Sequence, residues 1–310
     1  MINKKIKVFA PASVSNVACG FDIMGFALEI PGDEIQLKIV GNPGVKIISI
    51  TGDGGKIPSD YKLNTCGYAV YKMLTELQLE FGVEISINKK MPLGSGLGSS
   101  AASAVGGVYA LNKLLDEPLD NFELVKYALF GEEIASKAIH ADNVAPSLYG
   151  GFVIIRGYEP LDVVKIDTPD DLYCTIIYPH VEIKTSKARK ILPELVPLKN
   201  AVKQWGNVAG LTTGLLTNDY DLISRSLKDE IIEEFRSKLI FGYNELKQSA
   251  LGNGALGCNI SGSGPSIFAL CKGKESAKKI KKGFIDTANI LNITNSIFIS
   301  RINKIGPKII

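Results

Sequence analysis

At 310 residues the chain suits one large domain or two intimately packed ones, and 45% hydrophobic against 22% charged residues excludes a disordered or fibrous polypeptide. A formal net charge of only +3, with lysines scattered apart from a cluster at 272–282, argues against a nucleic-acid partner. No run approaches the ~18 apolar residues of a membrane span, and the N-terminus lacks the apolar stretch of a signal peptide, so no membrane partner and a cytoplasmic location are expected.

In chain order, residues 6–13, 34–40 and 45–50 alternate as β-strands, the last two separated by the turn Gly41-Asn42-Pro43-Gly44. Residues 64–82 have a capping residue at Asn64 or Thr65, apolar side chains at three-to-four spacing and a glycine stop, which predicts an amphipathic helix ending at Gly82. A strand at 83–92 then leads into a glycine loop and a buried helix of small residues at 100–115. A helix over 121–139 and a strand over 150–157 complete a mixed first half. The second half repeats the mixture, with a strand at 172–179, helices through 186–250, a glycine-rich hairpin at 252–271, a helix at 275–289 and a final strand at 296–302. The fold class is α+β, in two packed sandwiches.

Cys19, Cys66, Cys174, Cys258 and Cys271 form no Cys-x-x-Cys pair and read as reduced thiols; with only His140 and His180 beside them, no local zinc spacing exists.

The informative stretch is Pro92-Leu93-Gly94-Ser95-Gly96-Leu97-Gly98-Ser99-Ser100. A strand, a glycine loop and a helix start bring free backbone N–H groups and the positive end of a helix dipole to one point, which is an anion site. No Asp or Glu occurs from Ile85 through Leu115 to repel a phosphate. The loop lacks the Gly-Lys-Ser/Thr ending of a P-loop and the Gly-x-Gly-x-x-Gly spacing of a dinucleotide site, so it is a different cradle.

Pro92 to Ala101 resembles the signature of the GHMP small-molecule kinases. Residues 11–22, PASVSNVACGFD, and 254–270, GALGCNISGSGPSIFAL, resemble the opening and third motifs of that superfamily, and 140–151, HADNVAPSLYGG, resembles its homoserine kinase branch. The resemblance implies a ribosomal-S5-like domain over 1–160 and a ferredoxin-like domain over 161–310, the last strand returning to the first domain. It implies ATP-dependent phosphorylation of the side-chain hydroxyl of L-homoserine to O-phospho-L-homoserine, in threonine biosynthesis, with Mg2+. The whole loop from Pro92 to Ser100 is then expected on the ATP phosphates, and Ser100 and Glu132 on the metal. Asn16, Asp22, His140, Asn143, Arg189 and Arg236 are expected on the amino acid, with the two arginines on its carboxylate. Asn143 and Thr185 would position the reacting hydroxyl, and His140 is the competing candidate for a base. Homodimers are common among such relatives, although the sequence shows no obvious interface stripe.

Two other readings stand beside this one: another GHMP kinase, acting on mevalonate or shikimate, and a silent relative that senses nucleotide or amino acid. Two positions depart from the family pattern. Ala18 stands where glycine is common, and an ordinary backbone is expected there because alanine is strained at positive φ. Phe241 stands where proline is common.

Overall fold

The computed structural model describes residues 2–136 and 140–310. The first half runs β1 (Lys5–Val17), β2 (Gly20–Val40), β3 (Gly44–Thr51), α1 (Thr65–Glu76), β4 (Gly82–Asn88), α2 (Ser99–Asn112), α3 (Asn121–Ser136), α4 (Ala141–Tyr149), β5 (Phe152–Tyr158) and β6 (Leu161–Ile166). Next come β7 (Leu172–Pro179), α5 (Thr185–Lys190), α6 (Leu198–Thr217), α7 (Tyr220–Ser226), α8 (Glu233–Arg236) and α9 (Tyr243–Gly252). The chain closes with β8 (Gly257–Ile260), β9 (Ile267–Lys272), α10 (Gly273–Ile290), β10 (Asn295–Arg301) and β11 (Lys308–Ile309).

One sheet has the order β11-β1-β2-β4-β3, with β5 paired to β2 and β6 to β5; only β3 and β4 run parallel. The other is antiparallel in the order β10-β7-β9-β8. Numbered within the second half, that order is 4-1-3-2 around helical crossovers, the ferredoxin-like arrangement.

Three cores hold these layers. Val8, Ile35, Leu37 and Ile85 of the first sheet pack under α1 and α2 through Val70, Met73, Val105 and Val108. In α2, a Cβ at Gly106 would stand 2.5 Å from Ile35 and one at Gly107 2.7 Å from Cys66, so the absent side chains let α2 wedge between sheet and α1. The second core joins the two sheets: the rings of Phe26 and Phe152 stack at 4.6 Å, and Phe268 meets Phe26 edge-on at 5.8 Å. The third lies under the second sheet, where Leu246 and Ala250 of α9 and Ile280 and Phe284 of α10 cover Ile267 and Ala269.

Several expectations need correction. The first helix stops at Glu76 rather than near Gly82: Gln78 takes φ 53 and Leu79 N–H returns to Leu74 O at 3.0 Å, closing the helix before β4. Asn64 is its cap, accepting from Gly67 N–H at 3.1 Å. The segment 296–302 is not the last strand; it pairs with β7, and the strand returning to β1 is β11. The helix over 121–139 is seen to Ser136, and 137–139 lie outside the described residues. Ala18 does adopt positive φ, 47°. Val17 pairs with Gly20, so Ala18 and Cys19 are a two-residue hairpin loop, and such loops place their first residue at positive φ to match the strand twist.

Candidate active site

The glycine loop crosses from the end of β4 to the start of α2 with Gly94, Gly96 and Gly98 at φ 65, 80 and 64. Each position lies in the region that L side chains avoid. Gly96 also lets the loop lie on the third motif: a Cβ there would come within 2.5 Å of Ser261 O and 2.8 Å of Gly264 O. Ser261 Oγ donates to Gly96 O at 2.7 Å, and Ser266 N–H to Ser95 O at 3.2 Å. Gly262 N–H donates to Ser15 O at 3.0 Å, and Ser13 N–H to Leu97 O at 3.1 Å, so the opening, loop and third motifs are tied by backbone bonds.

Gly98, the N-cap of α2, supplies no side-chain cap, and no acid stands in the first turn, so the N–H groups at this end keep their capacity for an anion. The buried hydroxyls of Ser95 and Ser99 have no hydrogen-bond partner among the described residues. Below the loop, Lys89 is buried in an ion pair with Asp33 and donates to Ser99 O and Ser103 Oγ, both at 2.8 Å. Asp33 also accepts from Lys90 and Met91 N–H at 2.8 and 3.1 Å, anchoring the loop's entry.

Glu132 of α3 is buried beside this helix end; burial raises its pKa, opposed by the Ser100 hydroxyl and the Lys89 charge. Ser100 and Glu132 offer hard oxygen donors on the wall of the same cavity as the loop, a set that fits a magnesium ion.

On the acceptor side Asn143, in the first turn of α4, accepts from Ser13 Oγ and donates to Ser15 Oγ, both at 2.9 Å. Asn16 Oδ1 accepts from Asp22 N–H at 2.8 Å, and both residues sit at positive φ, 55° and 59°. Asp22 pairs with Arg189 of α5. Arg236 of α8 is only 3% exposed; its Nη1 donates to Gly262 O at 2.9 Å and its Nε to Ala188 O at 3.4 Å, with the Phe21 ring 4.9 Å from the guanidinium carbon. No carboxylate pairs with it among the described residues, and burial pulls its pKa down to about 10. Thr185 Oγ1 lies 3.2 Å from Ser263 Oγ. His140, half-buried, precedes α4; burial lowers its pKa, and the charge of Asp22 opposes.

One cavity of about 740 Å³ is lined, among others, by Asn16, Asp22, Glu132, His140, Asn143, Thr185, Arg189, Arg236 and the loop residues Leu93, Gly94, Ser95, Gly96, Gly98, Ser99 and Ser100. Pro92 and Leu97 are not on its wall, and the Leu97 side chain is buried in the second core.

The chain matches the family models for the GHMP kinases N terminal domain over residues 64–151 and GHMP kinases C terminal over 211–288. It is 45% identical to homoserine kinase of Chlorobium phaeobacteroides, over 99% of this chain and 100% of that one, and 41% identical to homoserine kinase of Methanococcus vannielii, over 92% and 94%. The crystal structure of homoserine kinase from Cytophaga hutchinsonii superposes with a TM-score of 0.97 at 53% identity, covering 100% of this chain and 98% of that one.

The chain belongs to the homoserine kinase family of GHMP kinases.

The fold extends across the wider group: mevalonate kinase of L. major superposes with a TM-score of 0.74 at 17% identity, over 97% of this chain and 99% of that one. ATP is the co-substrate that membership of this kinase family implies.

Sequence reading missed four site features. Ser13 and Ser15 lie in the quoted opening motif, on one face of β1 by their i, i+2 spacing, and that alternation was the available signal. Phe21, under both arginines, lies in the same motif. Asp142 sits within HADN and is wholly buried; its carboxyl is pushed up to about 7 by burial, the Asp22 charge adding and a Ser15 hydrogen bond opposing. The Lys89–Asp33 pair spans 56 positions and had no local signal.

Proposed function

We propose that this cavity transfers the γ-phosphoryl group of ATP to the side-chain hydroxyl of L-homoserine, giving O-phospho-L-homoserine for threonine biosynthesis. The observation that carries the amino-acid assignment is Arg236: a buried guanidinium with no carboxylate partner among the described residues, on the wall of a cavity that also carries Asp22 and Arg189. A buried cation of this kind matches a ligand carboxylate. Of the two other readings, mevalonate also brings a carboxylate but has no ammonium for Asp22. A silent sensor has no use for a buried Glu132 beside Ser100.

Phosphoryl transfer asks the protein for placement and charge neutralisation more than covalent chemistry. The N–H groups of Gly94 to Ser100 hold the phosphates. Ser100 and Glu132 would hold Mg2+, which when bound would supply neutralising charge to the phosphate oxygens. Arg236 and Arg189 take the amino-acid carboxylate, Asp22 takes the ammonium, and Asn143, fixed between Ser13 and Ser15, directs the hydroxyl with Thr185. Asn143 has no basic group at neutral pH, so the proton passes late to the phosphate. Burial favours the neutral form of His140, which makes it an alternative acceptor; an unchanged pH profile in His140→Gln would remove it.

The test is ADP release with ATP and Mg2+, comparing L-homoserine with mevalonate, shikimate, L-serine and no acceptor. Turnover confined to L-homoserine supports the proposal. Turnover with another acceptor rejects the acceptor assignment, and nucleotide binding without any turnover supports the sensor.

A further inference from the structure

Helix α6 buries Gln204 beside its apolar residues Leu211 and Leu215, and a primary amide taken out of water must find partners. Its Nε2 donates to Cys19 O and to Asp229 Oδ1, both at 3.1 Å, and its Oε1 accepts from Glu230 N–H at 2.9 Å. Those partners fix which way the amide points, because two acceptors need the NH2 group and one N–H needs the oxygen.

The two segments joined in this way carry opposite ends of the acceptor site. Cys19 belongs to the two-residue hairpin loop that leads into Phe21 and Asp22. Asp229 and Glu230 lead into α8, which carries Arg236. Asp229 Oδ1 also accepts from the N–H groups of Ile231 and Ile232 at 2.9 Å, and its Oδ2 from Glu233 N–H at 3.0 Å, so this carboxylate organises the entry to α8. Within α8, Glu233 pairs with Lys247 of α9 and accepts from Asn259 Nδ2 of β8 at 2.7 Å. A helix of four residues is too short to hold itself, so the placement of Arg236 comes from these side-chain bonds. Neither Gln204 nor Asp229 is on the cavity wall, so both act through the residues that are.

We infer that Gln204 is a positioning residue that sets the separation of Asp22 from Arg236, and thereby gauges the distance between ammonium and carboxylate in the acceptor. This rests on the assignment of L-homoserine to the cavity. An acceptor gripped at both ends gains from the second grip only while the spacing of the two matches it. An acceptor gripped at one end is indifferent to that spacing. Loosening the link therefore penalises the two-ended acceptor and spares those that lack either end.

The test is kcat/KM for L-homoserine, for 3-amino-1-propanol, which lacks the carboxylate, and for 4-hydroxybutyrate, which lacks the ammonium. Gln204→Met keeps the length of the side chain and none of its three bonds. Gln204→Asn keeps an amide but is a methylene too short to reach both segments, and Leu215→Ala is the control for loss of packing in the same helix. In Gln204→Met, L-homoserine is expected to lose about 10-fold or more through KM, with the other two acceptors and the KM for ATP within about twofold of the parent. Gln204→Asn should show the same pattern in smaller degree. Leu215→Ala should melt at a lower temperature and keep the parent's ratios among the acceptors. Equal losses for all three acceptors in the folded Gln204 variants, or no loss for any, would overturn the inference. So would a loss that 4-hydroxybutyrate shares with L-homoserine, since Gln204 would then act on Arg236 alone. A parent with no preference for L-homoserine over the one-ended acceptors would overturn the acceptor assignment itself, and the inference with it.

Discussion

Arg189 Nη2 donates to both carboxylate oxygens of Asp22 at 2.8 Å, joining residues 167 positions apart on the wall of the cavity. Each group is what one end of a free amino acid seeks: a guanidinium for the carboxylate, a carboxylate for the ammonium. The pair therefore acts as a stand-in for the zwitterion, and substrate exchanges one ion pair for two. Asp22→Asn should raise the KM for L-homoserine at least 10-fold. The same change should lower the KM ratio of 4-hydroxybutyrate, which has no ammonium, to homoserine. Because both side chains are partly exposed, the pair contributes only about 0–1 kcal/mol to folding, and the melting temperature should hardly move. A parallel loss for both acceptors would contradict the ammonium role.

Gly98 serves loop and acceptor together. Besides its φ of 64°, a Cβ there would stand 2.2 Å from Ser13 Oγ and 2.8 Å from Asn143 Oδ1. Gly98→Ala should therefore reduce kcat by about 100-fold or more, since displacement of a positioning group by about an ångström costs that much. Steady-state kinetics on folded variant checks it, and an unchanged kcat would separate Asn143 from the chemistry.

Asp142 makes stability depend on pH with a defined sign. Its folded pKa, about 7, lies above the ordinary 3.8, so between these values the folded chain binds more protons than the unfolded one. Its contribution to stability is intact below pH ~4, falls as pH rises and is lost above pH ~7, on the order of 4 kcal/mol in all. Asp142→Asn should raise the melting temperature relative to the parent at pH 8 more than at pH 4. Equal shifts at both pH values would mean that the carboxyl is not held protonated.

Ala18 carries strain of about 1–2 kcal/mol at positive φ, against about 0.8 kcal/mol for its one buried methyl. Ala18→Gly should stabilise the chain, by up to about 1 kcal/mol in urea denaturation. A loss of stability would show that the methyl contributes more by packing than the backbone costs.

The α+β class and most elements were legible because they rest on local signals: strand alternation, helical periodicity, and glycines that serve one backbone geometry. Asn64 was legible as a cap for the same reason. By contrast, α4, β6 and β11 were not read, and the candidate residues of the acceptor side came from the resemblance of whole motifs rather than from any local pattern. What was hidden depends on the approach of distant segments. Nothing near Lys89 announces Asp33, and although Arg189 and Asp22 are both expected at the site, nothing local to either announces their ion pair. Asp142 looks like any acid in a helix's first turn until burial changes its proton affinity. At Ala18 the residue type pointed the wrong way, because the hairpin's pairing outweighs an alanine's preference.

The most direct measurement is ADP release with L-homoserine and with 3-amino-1-propanol, which keeps the hydroxyl and ammonium but lacks the carboxylate, in the parent and in Arg236→Met. The parent should prefer L-homoserine strongly in kcat/KM. In Arg236→Met, turnover of L-homoserine should fall by the equivalent of about 2–5 kcal/mol, as for a buried charge pair losing one partner, with little change for the amino alcohol. Equal losses for both acceptors, or a parent indifferent to the carboxylate, would contradict the assignment of this cavity to an amino acid held by Arg236.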